Sequence, residues 1–275
     1  MMRYNTLSIA GFDGSGGAGI QADLKTFAAF GCYGMTVLTA LPVQNTCGVK
    51  SCYAIPLPCI EEQLQAIFED IRPHSVKIGM LFSGEIIELV ADFLRKQATG
   101  IPIVLDPVMV AKSGDPLLQQ EAVKALKEHL IPVVDVITPN LPEAARLTGM
   151  EVNSASDMPS VAALIQQLGV DTVLIKGGHL QQDDCLDFFL DQQGASQWLH
   201  SPRILSKNTH GTGCTLSAAI AAGLAKGRLP YEACLQAKAY LSGAIAASAG
   251  LSIGQGVGPV DHLYALNGEF FNETV

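Results

Sequence analysis

The stretch TLSIAGFDGSGGAGIQADL, residues 6–24, runs from an apolar segment through a glycine-rich turn into residues at helical spacing. Residues 6–10 have the short, mostly apolar character of a strand that is covered on both faces of a sheet. The glycines that follow allow the chain to turn sharply within a few residues. The stretch therefore predicts a strand followed directly by a helix, which is the repeating unit of a parallel α/β sheet.

The same alternation continues along the chain. Further strands are predicted at 35–40, 75–79, 101–105, 133–137 and 171–175, with helices at 83–96 and 119–130. Beyond residue 176 the pattern changes to an antiparallel pair, 184–190 and 196–200, and two long helices, 213–226 and 230–250. We therefore predict one α/β domain spanning residues 1–275, with a mostly parallel sheet covered by helices on both faces and a small β flap at 41–56.

Composition limits the partners of this chain. Hydrophobic residues make up 48% of the 275 residues and charged residues 16%, so a large core can form. The net charge of −9 argues against nucleic-acid and anionic-membrane partners, which need basic surfaces. The apolar segment 214–225 is too short to span a bilayer, and the cysteines form no CxxC pair. We expect a soluble, cytoplasmic protein that binds small molecules.

Ligands of open α/β sheets bind beyond the carboxyl ends of the strands, so the residues just after each strand are the candidates. Residues 14–19 match GxGxxG, but no acidic residue that could hold a ribose occurs between Lys25 and Ile60. A dinucleotide loop, a tight turn whose glycines pack on the sheet, and a loop close to a small ligand all remain open. Asp23 and Gln44 could offer an acceptor and an amide to a polar heterocycle.

A second glycine turn, 211–213, precedes the most apolar helix, and Cys214 stands at the start of that helix. A helix N-terminus presents backbone N–H groups and partial positive charge, so this turn could wrap a phosphate. The same charge predicts a lowered pKa for the Cys214 thiol. The thiol could be a covalent nucleophile, a proton acceptor or a packing residue. His210 lies four residues earlier, and the sequence shows no partner that would orient it.

Two carboxylates and a lysine follow other strands. Asn140 and Glu143 have the spacing of a helix capping box, and Glu143 could equally position Mg²⁺ near phosphates. Asp106 is the second candidate ligand, or an Asp that starts a turn. Lys176 ends another strand and could reach a nucleotide phosphate or remain solvated. An anion-binding helix start, two carboxylates and a lysine at one sheet edge together favour phosphoryl transfer.

Long stretches of this sequence closely resemble the hydroxymethylpyrimidine/phosphomethylpyrimidine kinases of thiamin biosynthesis, in the ribokinase-like superfamily. The matching stretches are GSGGAGIQADLKTFAAFGCYG (14–34), QNT (44–46), VKIGML (76–81), DPVM and KSGDPLL (106–118), TPNLPEA (138–144), KGGH (176–179) and HGTGCTLSAAIAA (210–222). The resemblance implies a ribokinase-like α/β fold, ATP as co-substrate, Mg²⁺ as cofactor, and a homodimer.

The resemblance also implies roles for individual residues. Cys214 occupies the position where most of the superfamily has Asp, so it is implied to accept the proton of the substrate hydroxyl, without a covalent phosphoenzyme. The transferred phosphoryl group is implied to be stabilised by the backbone amides of Gly211, Thr212, Gly213 and Cys214. The implied substrate contacts are Gly11, Asp23, Gln44, Met80 and Val108. The implied nucleotide contacts are Asn140, Lys176 and Thr209, and the implied metal ligands are Asp106 and Glu143.

The sequence departs from the family pattern beside the implied substrate pocket. Phe12 and Gly14 replace serines that are usual in the first glycine turn, and residues 41–43 (Leu-Pro-Val) replace the usual stretch before Gln44. A pyridoxine kinase of the same cysteine-containing branch therefore remains an alternative. A cysteine-dependent hydrolase using Cys214 and His210, and a non-catalytic module that binds a small ligand, are the alternatives from other classes.

Overall fold

The computed structural model describes residues 3–109, 120–178, 180 and 184–266. The KSGDPLL stretch at 112–118 and His179 lie outside the described residues. The strands are β1 (Asn5–Ala10), β2 (Tyr33–Leu38), β3 (Ala40–Asn45), β4 (Gly48–Ala54), β5 (Ser75–Ile78), β6 (Ile103–Leu105), β7 (Val136–Ile137), β8 (Thr172–Lys176), β9 (Asp184–Leu190) and β10 (Ser196–Pro202). The α-helices are α1 (Gly19–Ala29), α2 (Leu57–Asp70), α3 (Gly84–Gln97), α4 (Gln120–Ala125), α5 (Leu141–Thr148), α6 (Met158–Gln166), α7 (Thr212–Ala225) and α8 (Pro230–Ser248).

Eight strands form one sheet in the order β10-β9-β8-β7-β6-β5-β1-β2. The strands from β2 across to β8 are parallel, whereas β9 and β10 extend the sheet in antiparallel fashion. The predicted fold class and the predicted antiparallel pair are confirmed. Since the parallel strands all point the same way, their carboxyl ends share one edge of the sheet, and the residues after β1, β5, β6, β7 and β8 meet there.

The predicted flap is a separate two-stranded sheet made of β3 and β4. The single strand predicted at 35–40 is wrong in one respect, because β2 ends at Leu38 and β3 begins at Ala40. Thr39 lies at the break, and its hydroxyl donates a hydrogen bond to the Met80 carbonyl 2.6 Å away. This bond holds the chain at the sheet edge while it turns out of the sheet into the hairpin.

Near Pro132, one strand and one helix of the structure differ from the predicted elements. The strand predicted at 133–137 is only two residues long, because Ile131–Val133 forms a 3₁₀ turn before it. Pro132 has no backbone N–H to give to a strand ladder, which favours the turn. The helix predicted at 119–130 ends as α4 at Ala125 and continues as a π turn, Leu126–Leu130. The other two 3₁₀ turns of the described residues are Ala155–Asp157 and Tyr264–Leu266.

Apolar side chains fill both faces of the sheet. One cluster packs against α2, α3, α5 and α6, and the other against α1, α7 and α8. Helix α7 is buried from Thr215 through Ala225, since its alanines, glycine and serine allow close approach to the sheet on one side and to α8 on the other. The N-terminus of α7 is therefore held firmly at the carboxyl edge of the strands. No helix in the described ranges is both long and apolar enough to cross a bilayer.

Candidate active site

A cavity of about 830 Å³ opens at this edge of the sheet, within the range of sites that bind small molecules. The hairpin, the first glycine turn, the ends of β5 to β8, the start of α7 and one face of α8 form its wall. All of the predicted site residues line it except Asp23. The predicted residues that line the cavity are Gly11, Gln44, Met80, Asp106, Val108, Asn140, Glu143, Lys176, Thr209, Gly211, Thr212, Gly213 and Cys214.

The start of α7 faces the cavity without a side-chain cap. Gly211 is the N-cap residue, in the left-handed region at φ 79°, and among the described residues no side chain accepts a hydrogen bond from the first turn. A Cβ at this position would lie 1.8 Å from the Gly17 carbonyl oxygen, so only glycine fits. The first N–H groups of a helix have no partner within it, and this end of α7 can therefore bind an anion.

The first glycine turn has an internal partner for its backbone amides. The Asp13 carboxylate accepts hydrogen bonds from the N–H groups of Ser15, Gly17 and Ala18, at 3.0, 3.1 and 2.7 Å. His210 Nε2 lies 2.8 Å from the same carboxylate. Burial works to raise the pKa of Asp13, but the hydrogen bonds from His210 and Ser15 outweigh it and lower that pKa. The structure therefore favours the tight-turn interpretation over a dinucleotide loop, and it identifies Asp13 as the partner that orients His210.

Asp106, Lys176 and Glu143 form one cluster beside the start of α7. Lys176 Nζ lies 2.8 Å from Asp106 Oδ1 and 3.9 Å from Glu143 Oε2. A Cβ on Gly213 would lie 2.9 Å from Asp106 Oδ2, so the cluster touches the first turn of α7. A lysine and two carboxylates next to an anion-binding helix end can hold phosphates together with a divalent cation.

The capping box predicted for Asn140 and Glu143 is present. Asn140 Oδ1 accepts the Glu143 N–H at 2.9 Å, and Glu143 Oε2 accepts the Asn140 N–H at 2.8 Å. Glu143 also lines the cavity, so the structural and the functional interpretations of this residue are compatible. Burial raises the pKa of Glu143 to about 7; Asp106 adds to the rise and Lys176 opposes it.

The lowered pKa predicted for Cys214 is wrong. Burial raises the pKa of this thiol to about 11. The Lys77 ammonium and a hydrogen bond from the Gly19 backbone favour the thiolate, while Asp23 and Asp106 oppose it. The thiol is thus protonated at neutral pH, because the cost of desolvating a thiolate exceeds the attraction of the Lys77 ammonium.

Asp23 lies beneath the cavity rather than on its wall. It is fully buried and accepts hydrogen bonds from Ser8 Oγ at 2.5 Å and Lys77 Nζ at 2.8 Å, while its Oδ1 atom has no hydrogen-bond partner in the part of the chain that the structure describes. Burial works to lower the pKa of Lys77, but Asp23, Cys214 and Asp106 raise it, so the ammonium stays charged. The side chain is thus buried away from the cavity surface and contacts Lys77, which lines the cavity.

Sequence reasoning missed Lys77 and a second buried pair. Lys77 stands inside a predicted buried strand, and a charged residue in such a strand is itself a signal of a buried partner. Lys238 Nζ lies 2.7 Å from Asp187 Oδ2, and both residues line the cavity. Asp187 Oδ1 accepts the Gly177 N–H at 2.9 Å, so this pair fixes the backbone just after Lys176.

Gln44 faces the cavity on the same side of β3 as Pro42, as the alternation of side chains along a strand requires. The pairing of β3 with β4 shifts register between Val43 and Gln44, and the additional residue of this irregularity, Lys50, lies on β4. Met80 and Gly11 lie on the neighbouring wall, where a Cβ on Gly11 would be 3.3 Å from the Met80 sulfur. This end of the cavity therefore combines an amide with an apolar surface, whereas the α7 end carries the charged groups.

A parallel α/β sheet with an uncapped helix start, a buried lysine and two carboxylates at its carboxyl edge is the arrangement of a phosphotransferase. The family model described as Phosphomethylpyrimidine kinase matches residues 13–261, and the chain belongs to that family. The resemblance found in the sequence is thereby confirmed.

The relatives carry names that agree with the family. The chain is 48% identical to the hydroxymethylpyrimidine/phosphomethylpyrimidine kinase of Salmonella typhimurium, over 96% of this chain and 99% of that protein. The protein of the same name from Escherichia coli is 47% identical, with the same coverage. Among solved structures, a pyridoxal kinase from Staphylococcus aureus in complex with ADP has a TM-score of 0.89 at 38% identity, covering 98% of this chain and 96% of its own. A phosphomethylpyrimidine kinase from Clostridium difficile has a TM-score of 0.77 at 44% identity, covering 87% and 98%.

Proposed function

We propose that this chain transfers the γ-phosphoryl group of ATP first to hydroxymethylpyrimidine and then to the resulting monophosphate, giving the diphosphate for thiamin biosynthesis. The observation that carries the proposal is the division of one cavity into a heterocycle end, with Gln44 and Met80, and a phosphate end, with Lys176 and the start of α7. The names of the relatives support both phosphorylations.

In the first step the substrate hydroxyl oxygen forms a bond to the γ-phosphorus, and the bond to the ADP oxygen breaks. The hydroxyl proton passes to the thiolate form of Cys214, which is a small fraction of the enzyme at neutral pH and which the Lys77 ammonium stabilises. The backbone amides from Gly211 to Cys214 receive the charge on the transferred group. In the second step the nucleophile is a phosphate oxygen, which is already ionised near neutral pH, so no base is required.

Asn140, Thr209 and Lys176 are proposed to contact the nucleotide, with Asp106 and Glu143 serving Mg²⁺. The residues fit this cation, because Mg²⁺ takes one or two carboxylates and completes its shell with phosphates and water. Within the described ranges no group of three or more His, Cys, Asp or Glu side chains could hold a metal alone. The cation would supply charge neutralisation on the phosphates, and its binding therefore depends on the nucleotide.

At the heterocycle end, Gln44 offers an amide to the ring substituents, and Met80, Val108 and Gly11 pack on the ring faces. Asp23 contributes indirectly by keeping Lys77 charged and in place. A pyridoxal kinase activity is the second candidate, since solved pyridoxal kinases have closely similar folds and Phe12 departs from the family pattern. Membership of a kinase family argues against the hydrolase and the non-catalytic module.

We further propose that the chain works in the cytoplasm as a homodimer of single-domain subunits. The β3–β4 hairpin exposes Leu41, Val43 and Tyr53 on the face that points away from the cavity, with exposed fractions of 37%, 46% and 63%. An isolated two-stranded sheet is only marginally stable in water, so a second copy packed on this face would stabilise it. The cysteines are unpaired, as is usual in a reducing compartment.

The first experiment is ADP release by the purified chain with Mg-ATP, comparing hydroxymethylpyrimidine, its phosphate and pyridoxine at equal concentrations. We expect turnover of both pyrimidines and little with pyridoxine. Turnover of pyridoxine alone would leave the reaction type intact and move the substrate to the vitamin B6 class. ADP release that no heterocycle stimulates would contradict the proposed function.

A further inference from the structure

Phe12 is the aromatic side chain of interest on the cavity wall. Among the described residues that line it, Phe12 is the only Phe, Tyr or Trp. Phe12 is half-buried and lines the cavity, immediately after Gly11. A planar heterocycle has two faces to cover, and an aromatic ring is the side chain best suited to one of them, through offset stacking or an edge contact.

The backbone under this ring is fixed on both sides. The Phe12 N–H donates to the Ala40 carbonyl at 3.0 Å, which ties it to the first residue of the strand that carries Gln44. The next residue, Asp13, donates its N–H to Gln21 Oε1 at 2.8 Å, and its carboxylate holds the amides of the glycine turn. A ring on so rigid a base loses little conformational freedom when a ligand binds.

Gly14 provides the space that this ring occupies. A Cβ on Gly14 would lie 3.1 Å from Phe12 Cε1, closer than ordinary van der Waals contact, so an added methyl group would displace the ring by a few tenths of an ångström. Gly14 has no positive φ, and its lack of a side chain is therefore needed for space and not for backbone conformation. Phe12 and Gly14 are the two residues of this turn that depart from the family pattern. They form one structural feature, because the Phe12 ring lies where a side chain on residue 14 would be.

We propose that Phe12, with Gly14 as its spacer, is a substrate-binding residue that stacks on the heterocycle of the substrate and raises the affinity for planar rings. The inference rests on the proposed function and extends it, because it assigns the affinity for planar heterocycles to a residue at which this chain differs from the usual family pattern. Phe12 acts on ring binding only, since the charged end of the cavity lies on other elements.

The test is isothermal titration calorimetry of hydroxymethylpyrimidine, pyridoxine and AMP-PCP against the full chain and its variants. Phe12→Ala should weaken binding of both heterocycles about tenfold, the size of effect expected when one stacked ring is lost, and leave AMP-PCP unchanged. Phe12→Tyr should restore the wild-type Kd. Tyr33→Ala, which removes an exposed ring outside the cavity, is the matched control.

A double-mutant cycle tests the role of the spacer. Gly14→Ala should weaken heterocycle binding when Phe12 is present and have no effect in the Phe12→Ala background, because the Cβ then has no ring to displace. Equal effects of Gly14→Ala in both backgrounds, or an unchanged Kd for Phe12→Ala, would overturn the inference. If neither heterocycle binds the wild-type chain, the proposed function fails and this inference fails with it.

Discussion

At the scale of single residues, Cys214 distinguishes the two phosphorylations. Only the first acceptor, an alcohol, has a proton that must leave, whereas the phosphate acceptor of the second step is already ionised. Cys214→Ala should therefore slow phosphorylation of hydroxymethylpyrimidine by roughly 10²–10⁴-fold, the usual contribution of a general base, and slow that of the monophosphate far less. Separate steady-state assays with each pyrimidine measure the ratio. Equal losses with the two substrates would remove Cys214 from the base role.

The raised pKa of Cys214 also predicts a pH profile. A base must be deprotonated to act, and a thiol with a pKa of about 11 is almost entirely protonated at neutral pH. For hydroxymethylpyrimidine, kcat/KM, which reports groups of the free enzyme, should rise about tenfold per pH unit from about pH 7 to about pH 10. Cys214→Asp places an ionised carboxylate there and should flatten this rise. A flat profile in the wild-type chain would show that the thiolate is not the base.

The buried pair Lys77–Asp23 predicts a large effect on stability. Both side chains are fully buried, so Lys77→Met leaves an uncompensated carboxylate in the interior and should lower the free energy of unfolding by about 3–5 kcal/mol. Urea denaturation measures this change. The control is Arg95→Met, which breaks a pair whose side chains are 48% and 61% exposed and should have little effect. The double change Lys77→Met with Asp23→Leu should recover part of the loss.

At the scale of elements, the function depends on where helix α7 begins. Gly213→Ala adds a methyl group 2.9 Å from Asp106 Oδ2, which separates the helix start from the carboxylate cluster. Alanine favours a helix over glycine, so stability should hold while turnover falls roughly 10²-fold, as expected when reacting groups are displaced slightly. Thermal melting and ADP-release assays check both. Gly250→Ala, where nothing lies within 4 Å of the added Cβ, should change neither quantity.

At the scale of the whole molecule, the exposed face of the β3–β4 hairpin is the proposed contact between the two subunits of the dimer. Tyr53 is 63% exposed and pairs with Leu41 across the two strands, so Tyr53→Asp puts a charge into the proposed contact. Light scattering after size-exclusion chromatography should show twice the chain mass for the wild type and the mass of one chain for the variant. A wild-type chain that is already monomeric would contradict the dimer, and Tyr33→Asp on the β2 edge is the matched control.

Much of this fold follows from local patterns. The continuous apolar runs, the glycine turns and the helical spacing predicted six parallel strands, the antiparallel pair and the flap. The rule that ligands bind at strand ends, together with the family resemblance, gave fourteen site residues, and thirteen of them line one cavity. The errors occurred at Thr39 and Pro132, where one hydrogen bond or one missing N–H ends a strand. Such ends depend on single contacts that periodicity does not encode.

The sequence by itself determined the fold class, the family and the residues that follow each strand, because hydrophobic periodicity and motif spacing are properties of neighbouring positions. Only the tertiary structure decided which charges meet. Asp13 takes the amides of the glycine turn and pairs with His210, 197 positions away; Asp23 reaches Lys77 instead of the cavity; burial raises the pKa of Cys214 where a helix terminus alone predicted a fall. Electrostatic energy depends on distance and on desolvation, and both exist only once the chain has folded.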